Sequence, residues 1–179
     1  NAELIGLNPN FVIYDTNDSV DAVKEVLKKM NLNDKKFNPR SILAQISSAK
    51  HELITPEKYQ SLAQGFIQEI VAQVYPAYQK ILADNSALDF DDLLTKTVEL
   101  FEQHSEVLAR FQQIFTFILI DEYQDTNYVQ YRFANLLAAK NRNISVVGDD
   151  AQSIYGFRGA NIQNILNFER DYPDAVVIK

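Results

Sequence analysis

Apolar residues along the chain follow two rhythms. In the first half, Val20, Val23, Leu27 and Met30 recur every three or four residues, and Ile42, Ile46, Ala49 and Leu53 do the same. A third series, Phe66, Ile70 and Val74 beside Ile67 and Val71, runs on through Tyr78 to Leu82. Such spacing lines one side of a helix with apolar groups, so three amphipathic helices are expected. Their ends are marked as well. Asp15-Thr16-Asn17-Asp18 supplies N-cap candidates after a short extended run at residues 11–14, and Asn31 and Asn33 close the first helix. Pro39 suits the first position of the second helix, and Thr55-Pro56-Glu57 opens the third in the same way. Pro76 lacks an N–H and crowds the turn before it, so the third helix should kink or divide there.

From Leu88 onward the rhythm changes. Helical patterns at about residues 89–101 and 105–115 give way to short continuous apolar runs, Phe-Ile-Leu-Ile at 117–120 and Ile-Ser-Val-Val-Gly at 144–148. Runs of that length between polar residues suit strands buried on both faces of a parallel sheet. Residues 128–139 read as a helix between them, with Val129, Phe133, Leu136 and Leu137 toward the sheet. Asp171-Tyr172-Pro173-Asp174 makes a turn before a last strand at 175–178. Alternating strands and helices imply parallel β with right-handed crossovers. The fold class expected is helix-rich α/β, with an all-helical part at residues 1–87 and a parallel-sheet part at 88–179. With too few strands to complete such a sheet, an exposed edge or altered packing is expected, with a tendency to self-associate.

At 179 residues and 46% hydrophobic, the chain can build one substantial core or two small ones. It has no cysteine, which excludes a disulfide framework and thiolate metal sites. His51 and His104 lie far apart on helix-like stretches and are expected at the surface, without zinc. No apolar run approaches a membrane span and the Asn-Ala-Glu start is no signal peptide, so a cytoplasmic location is expected. Seventeen basic against twenty-four acidic residues give a net charge of −7, which is unsuited to holding nucleic acid by bulk charge. The best basic patch is Lys24, Lys28, Lys29, Lys35, Lys36 and Arg40 against Glu25 and Asp34, and it reads equally well as a solvated helix face.

Candidate chemistry sits at the ends of the two apolar runs. Asp121 and Glu122 follow the first, where ligands gather in parallel sheets. Two such carboxylates can divide a nucleotide hydrolase's work, Asp121 holding Mg²⁺ and Glu122 orienting water, although an acidic pair there also serves to cap a helix. Gln152 lies just past the second run, within reach of the same phosphate site. Tyr155 and Phe157, flanked by Gly156 and Gly159 with Arg158 between, can form a stacking platform for unpaired bases. The same rings can instead pack into the core, with Arg158 in a surface ion pair.

Asp-Glu-Tyr-Gln-Asp-Thr at 121–126 and Val-Gly-Asp-Asp-Ala-Gln-Ser-Ile-Tyr-Gly-Phe-Arg-Gly-Ala at 147–160 resemble, in order and spacing, motifs II and III of superfamily 1 DNA helicases of the UvrD/Rep/PcrA type. Leu88-Asp89-Phe90-Asp91-Asp92-Leu93 resembles a further signature of that family. The likeness is firm from Leu88 to the end and weaker before it. It implies a P-loop NTPase fold, with residues 88–179 the carboxyl-terminal part of the first RecA-like domain and residues 1–87 a helical insertion within it. It implies ATP and Mg²⁺ as cofactors, Asp121 and Glu122 as catalytic residues with Asp121 on the metal, and Gln152 sensing the γ-phosphate. Tyr155 and Phe157 would stack on single-stranded bases, and Arg158 would make a DNA-side or inter-motif contact. Many relatives carry tryptophan where this chain has Phe157. Gln124 and Asp125 would tie motif II to its neighbours. The implied partners are single-stranded and duplex DNA, the latter touched by the inserted subdomain, and the remaining helicase domains of a parent chain. A 3′-to-5′ polarity is implied as well.

A helicase motor also needs a loop of the type Gly-x-x-x-x-Gly-Lys-Ser/Thr to wrap the phosphates. None of Gly6, Gly65, Gly148, Gly156 and Gly159 precedes a lysine, so that loop is absent from the chain. The expectation is an internal piece of a helicase, inactive toward ATP by itself. Three alternatives stand beside it. One is a subunit of a RecB- or AddA-like helicase-nuclease, and another a binding module for single-stranded DNA or protein without a motor. The third is a metal-dependent nuclease built from Asp91, Asp92, Asp121, Glu122, Asp149 and Asp150.

Overall fold

The computed structural model describes residues 1–33, 36–149 and 163–178. Strand β1 (Val12–Tyr14) leads into helices α1 (Thr16–Lys29), α2 (Pro39–His51), α3 (Pro56–Leu62) and α4 (Phe66–Asp84). Strand β2 (Ala87–Asp89) then opens a second series: α5 (Phe90–Gln103), α6 (Ser105–Ile114), β3 (Ile118–Ile120), α7 (Tyr128–Ala138), β4 (Ile144–Val146), α8 (Gln163–Leu166) and α9 (Phe168–Asp171).

The helices start where their polar residues can satisfy free backbone N–H groups. Asp15 Oδ1 accepts from the N–H groups of Asn17 and Asp18, and Asp18 reaches back to the Asp15 N–H. Asp89 with Asp92, and Asn127 with Gln130, form the same reciprocal box at α5 and α7. Two helix expectations need correction. The helix expected from Thr55 onward is two: α3 ends at Leu62, and Gly65, at φ +94, stands at the N-cap of α4, which carries the whole third apolar series. Pro76, by contrast, does not divide α4, whose buried residues from Ile70 to Leu82 hold the helix on both sides of it. Leu53 also lies beyond its helix, at φ +52 after α2 has ended.

The apolar residues settle into two clusters. Val23, Leu27, Ile46, Val71, Val74 and Tyr78 join α1, α2 and α4 in the first, which also takes in Ala87. Phe101, Val107 and Leu137 form the second, with Phe111, Ile118, Phe133 and Leu136 packed against it. The α7 stripe therefore meets α5 and α6 as well as the sheet.

The strands differ more from expectation. They form two separate parallel pairs, β1 with β2 and β3 with β4. The second strand, β2, carries no periodic signal of its own. Residues 117–120 are not buried on both faces: Leu119 is 64% exposed and Phe117 56% exposed, since the helices cover one side of the pair. Residues 175–178 form no strand, and Val176 and Ile178 stand in solvent without a neighbouring strand to pair with. Nor are the histidines free surface groups. His51 Nε2 lies 2.9 Å from Asp91 Oδ1, and His104 Nε2 lies 3.1 Å from the Leu4 carbonyl. In the basic patch, Lys24 pairs with Asp21 and Lys29 with Glu25, while Lys36 sits over the rings of Phe37 and Phe66.

Candidate active site

Ile118, Leu119 and Ile120 of β3 lie opposite Ile144, Ser145 and Val146 of β4. The pairing continues past the strand ends, with the Val147 N–H donating to the Ile120 carbonyl at 2.8 Å and the Tyr123 N–H to the Val147 carbonyl at 2.9 Å. Both carboxyl ends are thereby held together. Asp121 and Glu122 leave one, and Gly148 and Asp149 leave the other, all of them exposed.

The chain turns sharply here. Glu122 has φ 51 and ψ 40, a left-handed geometry that costs a side-chain-bearing residue energy. Asp121 Oδ1 accepts from the Glu122 N–H at 2.9 Å and supports that turn. A 3₁₀ turn at Tyr123–Asp125 then carries two side chains inward, with Tyr123 and Gln124 each 1% exposed. The Tyr123 ring meets Phe168 edge-on at 5.7 Å. Asn164 of α8 donates to the Thr126 carbonyl at 3.0 Å and locks α8 over the turn.

Gln124, expected to tie the 121–126 segment to its neighbours, joins the two strand ends. Its Nε2 donates to Glu122 Oε2 at 2.7 Å, and its Oε1 accepts from the Asp149 N–H at 3.0 Å. No sequence signal marks the second bond, which spans 25 residues.

Of the sequence-predicted residues, the structure brings Asp121 and Glu122 together at the strand ends. Gln152, Tyr155, Phe157 and Arg158 lie outside the described residues, as does Asp150. Asp91 and Asp92 are engaged elsewhere, Asp91 with His51 and Asp92 with Lys50 at 2.8 Å. Among the described residues no three acidic or histidine side chains gather as a metal cluster. The donor set at Asp121 is all oxygen and solvent-facing. It suits a hard cation such as Mg²⁺, which takes one or two carboxylates and completes its shell with water and phosphate. A cleft of about 550 Å³ opens elsewhere, lined by Pro56, Tyr75, Gln79 and Lys96, and neither Asp121 nor Glu122 faces it.

Paired acids on a strained turn stand where parallel strands end in a helix-rich α/β fold, the place at which such folds gather ligands. Residues 1–173 match the UvrD/REP helicase N-terminal domain, and the chain belongs to that family. The match begins at residue 1, so the likeness is not confined to a segment carrying motifs II and III but includes the helical first half. The chain is 52% identical over 174 residues to the ATP-dependent DNA helicase PcrA of Bacillus subtilis, covering 97% of this chain and 24% of that protein. It is 51% identical over 177 residues to the protein of the same name from Staphylococcus aureus, covering 99% of this chain and 24% of that one. The corresponding protein of Leuconostoc citreum is 50% identical over 173 residues, covering 97% of this chain and 23% of that one. The chain thus spans about a quarter of the length of the curated relatives it matches. Among the described residues, no helix is long and apolar enough to cross a membrane.

Proposed function

We propose that the chain supplies the acidic half of the nucleotide site in an ATP-dependent DNA helicase. The observation that carries this reading is the Asp121–Glu122 turn at the joined ends of β3 and β4, in a chain of the UvrD/REP family. Glu122 is the base. It takes a proton from water as the water oxygen bonds to the γ-phosphorus of ATP, while the bond from that phosphorus to the β–γ bridging oxygen breaks and releases ADP. Asp121 would hold Mg²⁺, which when bound neutralises charge on the phosphate oxygens. Gln152 contacts the γ-phosphate, Tyr155 and Phe157 stack on single-stranded bases, and Arg158 makes a DNA-side or inter-motif contact.

Residues 88–179 then belong to the first RecA-like domain and residues 1–87 to a helical subdomain inserted in it. The two apolar clusters support that division. Other parts of a longer protein supply the phosphate loop and the rest of the motor. Hydrolysis there drives 3′-to-5′ movement on single-stranded DNA and duplex unwinding.

The test is ATP hydrolysis, with and without single-stranded DNA, by this 179-residue chain and by a longer protein that contains it. A silent chain is expected beside a DNA-stimulated longer protein, in which Glu122→Gln binds nucleotide without turnover. Near-normal hydrolysis by Glu122→Gln removes Glu122 from the role of base. A silent wild-type longer protein points instead to a binding module.

A further inference from the structure

We infer that Gln124 is the positioning residue for the Glu122 carboxylate, clamping it to the backbone that leaves β4; this rests on the reading of Glu122 as the base. The polarity of the clamp is forced. A backbone N–H can only donate, so the bond from Asp149 N at 3.0 Å fixes which end of the Gln124 amide is oxygen. The amide nitrogen must then face Glu122 Oε2, at 2.7 Å, and the carboxylate can only accept. Both halves of one buried amide are engaged, each by a different strand end.

The need for such a clamp follows from exposure. Glu122 stands in solvent at the head of a left-handed turn. A glutamate there has several open rotamers, and a base must be held close to one geometry to act on a bound water. Gln124 has no comparable freedom, being 1% exposed. It passes the rigidity of the paired strands to an otherwise mobile side chain.

Gly148 is the second half of the device. A Cβ added there would fall 2.6 Å from Gln124 Oε1 and 2.8 Å from Ile165 Cδ1. Its φ is not in the left-handed region, so glycine is needed for room and not for conformation. The missing side chain leaves the space that the Gln124 carbonyl occupies. Gly148 and Gln124 therefore form a matched pair, and a methyl group at 148 must displace the amide from Glu122.

The experiment compares Gln124→Met, Gln124→Glu, Gly148→Ala and Glu122→Gln in the full-length protein that carries this chain. The readouts are kcat and KM for ATP with single-stranded DNA, affinity for a non-hydrolysable ATP analogue, and melting temperature. Gln124→Met keeps the volume and loses both hydrogen bonds, so kcat should fall on the order of 10- to 100-fold, as a misplaced reacting group implies, with KM and analogue affinity nearly unchanged. Gly148→Ala should lower kcat in the same way, and combining the two should add little further loss. Gln124→Glu keeps the size and the acceptor for the Asp149 N–H, but an ionised carboxylate cannot donate to Glu122 Oε2, so it should lower kcat with KM and analogue affinity nearly unchanged. A merely structural residue would lose analogue affinity and melting temperature together with kcat. Wild-type kcat in Gln124→Met beside an inactive Glu122→Gln overturns the positioning role and leaves the base in place. Parallel loss of melting temperature, analogue affinity and kcat assigns Gln124 to folding and also overturns the proposal. Wild-type turnover by Glu122→Gln overturns the reading of the base, and the clamp with it.

Discussion

Lys50 Nζ lies 2.6 Å from Asp89 Oδ2, with the two side chains only 3% and 6% exposed. Asp92 Oδ1 sits 2.8 Å from the same ammonium, and the Tyr78 hydroxyl donates to Asp89 Oδ2 at 2.8 Å. The Lys50 ammonium also lies 5.3 Å from the centre of the Tyr78 ring. Asp89 and Asp92 meanwhile cap α5, so the charges that start that helix are the ones that neutralise a lysine on α2. The first helical part of the chain is thereby fastened to the second part at β2.

Burying charge is costly, and an ion pair of this kind recovers little more than its own desolvation. Removing one member is another matter. Lys50→Met leaves two carboxylates buried without their cation and should cost about 3–5 kcal/mol of stability. Urea unfolding measures it. Adding Asp89→Asn and Asp92→Asn to Lys50→Met should recover part of the loss, and a loss that simply accumulates would argue that the three groups are not coupled.

The pair beside it responds to pH. A hydrogen bond to Asp91 raises the His51 pKa above its ordinary value, and burial only partly opposes it. Burial pushes the Asp91 carboxyl up, but hydrogen bonds from His51 and Ser47 outweigh it and hold the pKa below the usual range. The His51 contribution is complete below the unfolded histidine value of about 6.5 and fades as pH rises through the raised folded value. The Asp91 contribution is complete above the unfolded value of about 3.9 and fades as pH falls through the lowered one. Stability should therefore be greatest between about pH 4 and 6.5 as far as this pair is concerned. His51→Gln should flatten the alkaline decline of the urea midpoint, and an unchanged slope would assign that decline to other groups.

Gly65 stands between α3 and α4, at the N-cap of the latter. At φ +94 and ψ 160 it occupies a region essentially closed to other residues, so Gly65→Ala should cost about 1–3 kcal/mol. The added methyl would also press on Gln68 Oε1 at 3.3 Å. Thermal unfolding tests this. No loss of stability would mean that α3 and α4 can join without strain.

Phe157 carries the stacking proposal. In a longer protein containing this chain, Phe157→Ala should weaken single-stranded DNA binding by about 1–3 kcal/mol, the worth of one stacked base. Phe157→Trp should restore or strengthen it by enlarging the stacking surface. Unchanged affinity in both would return the ring to core packing.

Much of this molecule could be read directly from local sequence. Val20, Val23 and Leu27 are buried on one side of α1, and Asp15, Asp89 and Asn127 cap their helices, because helical periodicity and capping depend on residues within a turn of one another. The Asp121–Glu122 pair was visible for a related reason, as polar residues ending an apolar run. Tertiary structure decided the rest. Ala87–Asp89 is a strand because β1 lies beside it, and residues 175–178 are not one because no strand among the described residues pairs with them. Lys50, spaced like any residue near the end of an amphipathic helix, is buried because Asp89 and Asp92 arrive from 39 and 42 positions away to neutralise it. Gln124 reaches Glu122 from two residues away, but its amide is oriented by the Asp149 N–H, 25 residues further on. A residue's neighbours along the chain set its backbone, while the groups packed around it from elsewhere determine whether its charge is paired, exposed or put to use.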